Sequence, residues 1–213
     1  MLIFDITTSL DGFVAGPNPS LEDPLGEGGM QLHDWATSTR AWRERHGLEG
    51  GEENADSEVV AEGIARQGAV IMGRRMFNGG SGPWEDDPNR DGWWGDDPPF
   101  RNPVFVLTHH ARDRVEFENG TTFNFVTDGS KAALEQAQAT AGDRDVLIAG
   151  GAETIQQYLA AGLVDEFEVH VAPILLGGGT PLFGGAGTER PQVELTRVLS
   201  SPGAAHLRYR VVK

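Results

Sequence analysis

The sequence predicts an α/β fold: a mixed, mostly parallel central sheet flanked by helices, with an antiparallel hairpin at its C-terminal end. Three observations predict it. Short apolar runs alternate with helical patterns through the body of the chain. Residues 145–183 contain a strand, a glycine pair, a helix and a second strand, which is a βαβ unit. Residues 193–199 and 204–211 then alternate around Ser-Ser-Pro-Gly, as two strands of a hairpin do.

In chain order, residues 2–8 read as the first strand, with a turn at Asp11 and Gly12. Residues 16–29 hold Pro17, Pro19 and Pro24 and four glycines, too many for an ordinary connection, so a functional or mobile loop is expected. One helix is predicted over 32–46, with Leu32, Trp35, Thr39 and Trp42 on one side and His33 and Asp34 in its first turn. Asp34 reads either as a helix-start carboxylate favoured by the macrodipole or as a carboxylate placed at a substrate pocket. A second helix is predicted over 57–67, closed by Gly68.

Residues 69–72 form a short buried strand that runs into Gly73, Arg74 and Arg75. Residues 79–102 lack periodicity yet hold Trp84, Trp93 and Trp94, which are expected to wall a substrate pocket, with packing on the domain or against a second subunit as the alternatives. Strands at 104–107 and 123–126 precede a helix over 130–141, and the first of them delivers Thr108, His109 and His110 to its end. In the βαβ unit, the run Val146–Ala149 enters Gly150 and Gly151. Ile155, Tyr158, Leu159 and Leu163 then recur at helical spacing, with Gly162 where such a helix would end, before the next strand, where Phe167, Val169 and Val171 alternate with Glu166, Glu168 and His170. Small residues at such a turn let a ligand approach the backbone, and the first-turn amides favour an anion there. His170, on the polar side of its strand, reads as a hydrogen-bonded structural residue.

Composition narrows the classes. The 213 residues suit one domain spanning 1–213. Without cysteine there is neither a disulfide framework nor a thiolate metal site, and the six histidines show no metal-ligand spacing. Asp5 interrupts the first apolar run, and no run approaches the roughly 20 residues of a membrane span. A soluble cytoplasmic protein is therefore expected. A formal charge of −15 disfavours nucleic acid and anionic membranes as partners. Neither GxGxxG nor GxSxG occurs, which disfavours an ordinary Rossmann dehydrogenase and the simplest hydrolase.

Three strand ends stand in sequence after a Ser-Leu-Asp-Gly turn: Gly73-Arg74-Arg75, Thr108-His109-His110 and Gly150-Gly151-Ala152. With the stretch AGLVDEFEVHVAPILLGGGTPLF, they resemble the dihydrofolate-reductase-like superfamily, and especially the reductase domain of bacterial riboflavin biosynthesis. The resemblance spans nearly the whole chain. It implies an NADPH-dependent reductase and a homodimer. The cofactor diphosphate would lie against Gly150, Gly151 and the helix start Ala152, Glu153 and Thr154. The 2′-phosphate would meet Arg74, next to Gly73 and Arg75, with Thr108 and His109 at the adjacent strand end, while Ala15 and Gly16 would flank the nicotinamide. Met76 departs from the hydroxyl residue common in folate reductases. The proton accompanying hydride transfer would come from Asp34, from His33, or from a water held by Asp34. The substrate would be a small heterocycle or a ribosylaminopyrimidine, as for a 5-amino-6-(5-phosphoribosylamino)uracil reductase. A dihydrofolate reductase and a non-catalytic NADPH-binding protein are the alternatives.

Overall fold

The computed structural model describes residues 1–184 and 191–213. In chain order the elements are β1 (Leu2–Ser9), β2 (Phe13–Ala15), α1 (Asp34–Thr37), α2 (Arg40–Arg45), α3 (Ala55–Arg66), β3 (Gln67–Gly73), α4 (Arg74–Asn78), β4 (Pro103–Leu107), β5 (Val115–Glu116) and β6 (Thr122–Val126). They continue with α5 (Gly129–Ala141), β7 (Asp145–Gly150), α6 (Ala152–Ala160), β8 (Glu166–Ala172), β9 (Thr180–Pro181), β10 (Gln192–Ser200) and β11 (Ala205–Val212). Among the described residues, nine strands form one sheet in the order β10-β11-β8-β1-β7-β3-β4-β6-β5. From β8 to β6 all pairs are parallel; β10, β11 and β5 join antiparallel. The mixed sheet with its terminal hairpin is the fold expected from the sequence.

The two sheet faces are covered differently because alternate residues of each strand point opposite ways. Leu2, Phe4, Ala69, Ile71, Val146 and Ile148 pack against α5 and α6 through Leu134, Ala137, Ile155 and Tyr158. On the other face, Val70, Met72, Val104 and Val106 meet Phe77 and Trp84. There α3 crosses β1, so closely that a Cβ on Gly63 would stand 3.1 Å from the Asp5 carboxylate.

The helix expected over 32–46 is instead broken into a 3₁₀ turn (Gly29–His33), α1 and α2. The Ser38 and Thr39 hydroxyls donate to the carbonyls of Trp35 and Ala36, ending α1. Thr39 is extended, and its oxygen accepts from the Trp42 amide to cap α2. Apolar spacing runs on through this break, which is why periodicity alone merges the helices.

The loop after β2 is folded back on itself: Gly16 N donates to Leu25 O and Glu27 N to Pro17 O. A Cβ on Gly16 would lie 2.1 Å from the Glu27 carbonyl oxygen, so glycine is required by close approach there.

Candidate active site

Strand pairing opens a crevice at the C-terminal edge of the sheet. β1 pairs with β7 only from Leu2 to Phe4, whereas its pairing with β8 continues to Ser9. Beyond Phe4, β1 leaves β7. The chain also switches faces here, since β7 returns to β8 through α6 while β1 reaches β3 through α1–α3. In open parallel sheets, ligands lie outside the strand ends at such a switch.

Gly150 and Gly151 occupy this position, joined by a cis peptide. Gly150 has φ +133° and faces Met76 Sδ at 3.3 Å from an added Cβ. Gly151 has ordinary φ −73° and is exposed, and nothing lies within 4 Å of its added Cβ. The open space therefore belongs to Gly151. Its carbonyl accepts from Thr154 and Ile155, starting the nine-residue α6. Among the described residues the amides of Ala152 and Glu153 have no protein acceptor, so two first-turn donors face an open, backbone-lined cradle suited to an anion.

The neighbouring strand ends are brought alongside. Met72 pairs with Gly150, and Gly73 with Leu107, which precedes Thr108. A Cβ on Gly73 would stand 2.5 Å from Thr154 Oγ1, so this glycine lets α6 close on β3. Thr108 is buried, and its hydroxyl oxygen accepts from the His110 amide; His109 is exposed.

The two arginines differ in their surroundings. Arg74 is only 6% exposed, with Nε donating to Asn78 Oδ1 at 2.8 Å, one terminal nitrogen 2.5 Å from Asp87 Oδ2 and the guanidinium 3.1 Å over the Trp84 ring. Among the described residues its other terminal nitrogen is buried without a partner. Burial pushes the Asp87 carboxyl up, but hydrogen bonds from the Asn89 amide, Arg74 and Asn78 outweigh it and hold it below its ordinary range. The guanidinium is thus closed off from solvent and half engaged by Asp87. Arg75 instead lies in solvent, paired across the α6 start with exposed Glu153 at 3.0 Å. Such an exposed pair is worth little and is easily exchanged.

The three tryptophans each make packing or hydrogen-bond contacts within the domain. Trp84 is buried against Phe77 and Phe125, and its Nε1 donates to the His110 carbonyl. Trp93 donates to the Met76 carbonyl, and Trp94 packs edge-on against Phe100. The rings of Trp84 and Trp94 help cover the face of β3 and β4, a role that suits their area.

Ala15 and Gly16 are held by the segment that follows β8. Asp11 accepts from the amides of Leu176 and Gly177, β2 pairs with β9, and a Cβ on Gly179 would lie 2.0 Å from the Ala15 carbonyl oxygen. The run Gly177–Gly179 is thus a backbone-on-backbone contact with the β2 end. Accepting bonds from Ser9, Leu176 and Gly177 lowers the Asp11 pKa. His33 and Asp34 follow on the 3₁₀ turn and α1, both exposed. Desolvation by surrounding chain pushes the His33 imidazole down, and the Asp34 carboxylate opposes the shift.

With this geometry in hand, comparison with known proteins is decisive on family. The RibD C-terminal domain family model matches residues 1–207. The chain belongs to that family. It is 22% identical over 192 residues to the uncharacterized protein YyaP of Bacillus subtilis, covering 85% of this chain and 79% of that one. A solved Shewanella sp. PV-4 structure, described as a riboflavin biosynthesis protein, superposes with TM-score 0.63 at 25% identity, covering 100% of both chains. The Thermotoga maritima diaminohydroxyphosphoribosylaminopyrimidine deaminase/5-amino-6-(5-phosphoribosylamino)uracil reductase shares the fold at TM-score 0.54 and 13% identity, over 100% of this chain and 56% of that one. Family membership supports a reductase-like activity. Among the described residues no helix is long and apolar enough to cross a membrane, and no group of three or more His, Asp or Glu is arranged to hold a metal.

Proposed function

We propose that this RibD-type domain is an NADPH-dependent reductase of a small heterocyclic or ribosylaminopyrimidine-like substrate. The observation that carries the reading is the open cradle at Gly151, with the free amides of Ala152 and Glu153, at the split between β1 and β7. NADPH, when bound, supplies the hydride. The protein's part is to hold and orient. The α6 start takes the diphosphate, and its dipole offsets the unfavourable field of an acidic chain. Arg75 takes the 2′-phosphate by exchanging Glu153 for it, while Arg74 braces the loop behind. Thr108 and His109 flank the adenosine, Ala15 and Gly16 the nicotinamide, and Asp34, directly or through a water, supplies the proton.

The test is NADPH titration followed by stopped-flow oxidation with pterins, folates and the phosphoribosylaminopyrimidine. Turnover of the pyrimidine supports the proposal, turnover of dihydrofolate alone makes the chain a dihydrofolate reductase, and tight binding without turnover makes it a binder. We further propose a homodimer. Val193, Leu195 and Val198 are 44%, 53% and 61% exposed and share a sheet face with their cross-strand partners Val211, Tyr209 and Leu207. Sedimentation should give twice the chain mass, reduced to the monomer by Leu195→Glu.

A further inference from the structure

A second polar assembly lies beneath Trp35, away from the strand-end crevice. Asp5 on β1, His170 on β8, His206 on β11 and Asp56 on α3 form one chain of contacts. His170 Nε2 meets the Asp5 carboxylate, the two Nδ1 atoms are 2.7 Å apart, and His206 Nε2 is 2.7 Å from Asp56 Oδ1. Asp56 also accepts from the Ser201 hydroxyl, tying the turn of the C-terminal hairpin to α3. The imidazoles are 1% and 0% exposed.

Counting protons fixes the state of this chain. An ionised carboxylate only accepts, so each Nε2 must carry hydrogen. The contact between the Nδ1 atoms needs one N–H and one lone pair. All three contacts are therefore satisfied by three protons on four ring nitrogens: one imidazolium and one neutral imidazole. A fourth proton would set two N–H groups head to head, and loss of the third would leave either two Nδ1 lone pairs facing each other or a carboxylate facing a lone pair.

Trp35 lies on this pair, its ring centroid 4.6 Å from His170 and 4.9 Å from His206, with Nε1 donating to Thr7 Oγ1 at 3.0 Å. It is the α1 residue next to Asp34. We infer that His170 and His206 share a single proton, and that this proton positions α1, and with it Asp34, by fixing the rings on which Trp35 rests. The consequence for Asp34 rests on the reductase reading; the proton sharing does not.

The charges facing the chain are Asp5 from β1, Glu168 from β8, Arg208 from β11, Arg197 from β10, and Asp56, Glu62 and Arg66 from α3. Arg197 and Arg208 both donate to Glu168 and to Glu62, which offsets those carboxylates. A cavity of about 10 Å³ beside Asp5, Arg66, Glu168 and Arg208 has room for about one water. Burial pushes both imidazoles down. At His170 the Asp5 carboxylate overcomes it and holds the pKa above the ordinary value, whereas His206 stays below. The signs follow. The His170 contribution is complete below the unfolded pKa of about 6.5 and is lost as pH rises through its folded pKa. For His206, stability is lost as pH falls below about 6.5, because the unfolded chain takes up its proton first. The clamp is thus strongest near that value.

Histidine-labelled protein followed by ¹⁵N NMR from about pH 5 to about pH 9 tests the inference. One ring should be imidazolium and the other neutral at neutral pH, with a low-field proton between them. The Trp35 indole N–H, identified by its loss in Trp35→Phe, should titrate with the pair. Asp5→Asn should lower the imidazolium titration by about one pH unit or more, and His206→Gln should remove the low-field signal. Asp5→Asn carries the test should His206→Gln fail to fold. Two neutral rings, two charged rings, or no shift in Asp5→Asn would overturn the shared proton, and an indole signal indifferent to the titration would overturn the positioning of α1. None of these readouts requires NADPH, so absence of turnover would count against the reductase reading alone.

Discussion

Three glycines at the crevice should respond to substitution in three different ways. At Gly151, φ is −73° and the added Cβ meets nothing within 4 Å, so Gly151→Val introduces no forbidden dihedral and no clash at its Cβ. Its stability should stay within about 1 kcal/mol of wild type, since the entropy removed from the unfolded chain favours the variant. The added side chain nevertheless fills the cradle. Keeping a diphosphate oxygen off the Ala152 and Glu153 amides removes two charge-assisted bonds at roughly 1.5–3 kcal/mol each, a loss of at least about a hundredfold in affinity. Gly150→Ala places a Cβ at φ +133° and 3.3 Å from Met76 Sδ, and strain of this kind costs on the order of 1–3 kcal/mol. Gly73→Ala drives a Cβ to 2.5 Å from Thr154 Oγ1 and should loosen the α6 start by about 1–3 kcal/mol as an overpacked contact.

Thermal denaturation and NADPH titration on the same three proteins separate the effects. The expected pattern is a folded Gly151→Val that has lost the cofactor, beside Gly150→Ala and Gly73→Ala with lowered Tm. Wild-type affinity in Gly151→Val would put the diphosphate elsewhere and remove the main support for the reductase reading. A Gly151→Val protein that unfolds would show that the open space is not there.

Three further perturbations probe the surrounding charges. Arg75→Ala should leave Tm almost unchanged while lowering the preference for NADPH over NADH by about tenfold or more, whereas Asp87→Ala should cost about 3–5 kcal/mol because it strands a buried guanidinium; the opposite pattern in paired melts and titrations would return the 2′-phosphate to Arg74. Burial raises the Glu62 carboxyl, but Arg208 and Arg197 hold it at about 2 against an ordinary 4.5, so its contribution is complete above 4.5 and is lost as pH falls through about 2. Glu62→Gln should flatten that part of the stability curve, and an identical acid limb in the variant would refute the assignment. Asp34→Asn should leave NADPH affinity alone and slow single-turnover reduction by about a hundredfold or more if the carboxylate directs the proton; equal rates with a loss of about 1 kcal/mol or less would make it a helix-start residue only.

The parts of this molecule visible in its sequence are those whose partners lie close along the chain. The β7-α6-β8 unit could be read because apolar period, glycine turn and helix end all fall within residues 145–172. Pairings across the chain left no such trace. Asp87 sits in an aperiodic loop 13 residues from Arg74, so an arginine at a strand end looked free when its fork was already engaged. The aperiodic sequence around the tryptophans of the same loop does not show what they pack against, which for Trp84 and Trp94 is the cluster on β3 and β4. On β8 the alternation of Glu166, Glu168 and His170 with apolar residues marks a polar face, and Glu168 and His170 on it are 5% and 1% exposed. That face is buried under α3 and kept polar by charges from β1, β10, β11 and α3, with His206 36 residues from His170 and Asp5 165 residues away. Alternation reports which residues share a face. Whether the polar face meets water depends on what else in the chain can satisfy it, and here the acidic residues that make the protein −15 overall supply part of that satisfaction internally.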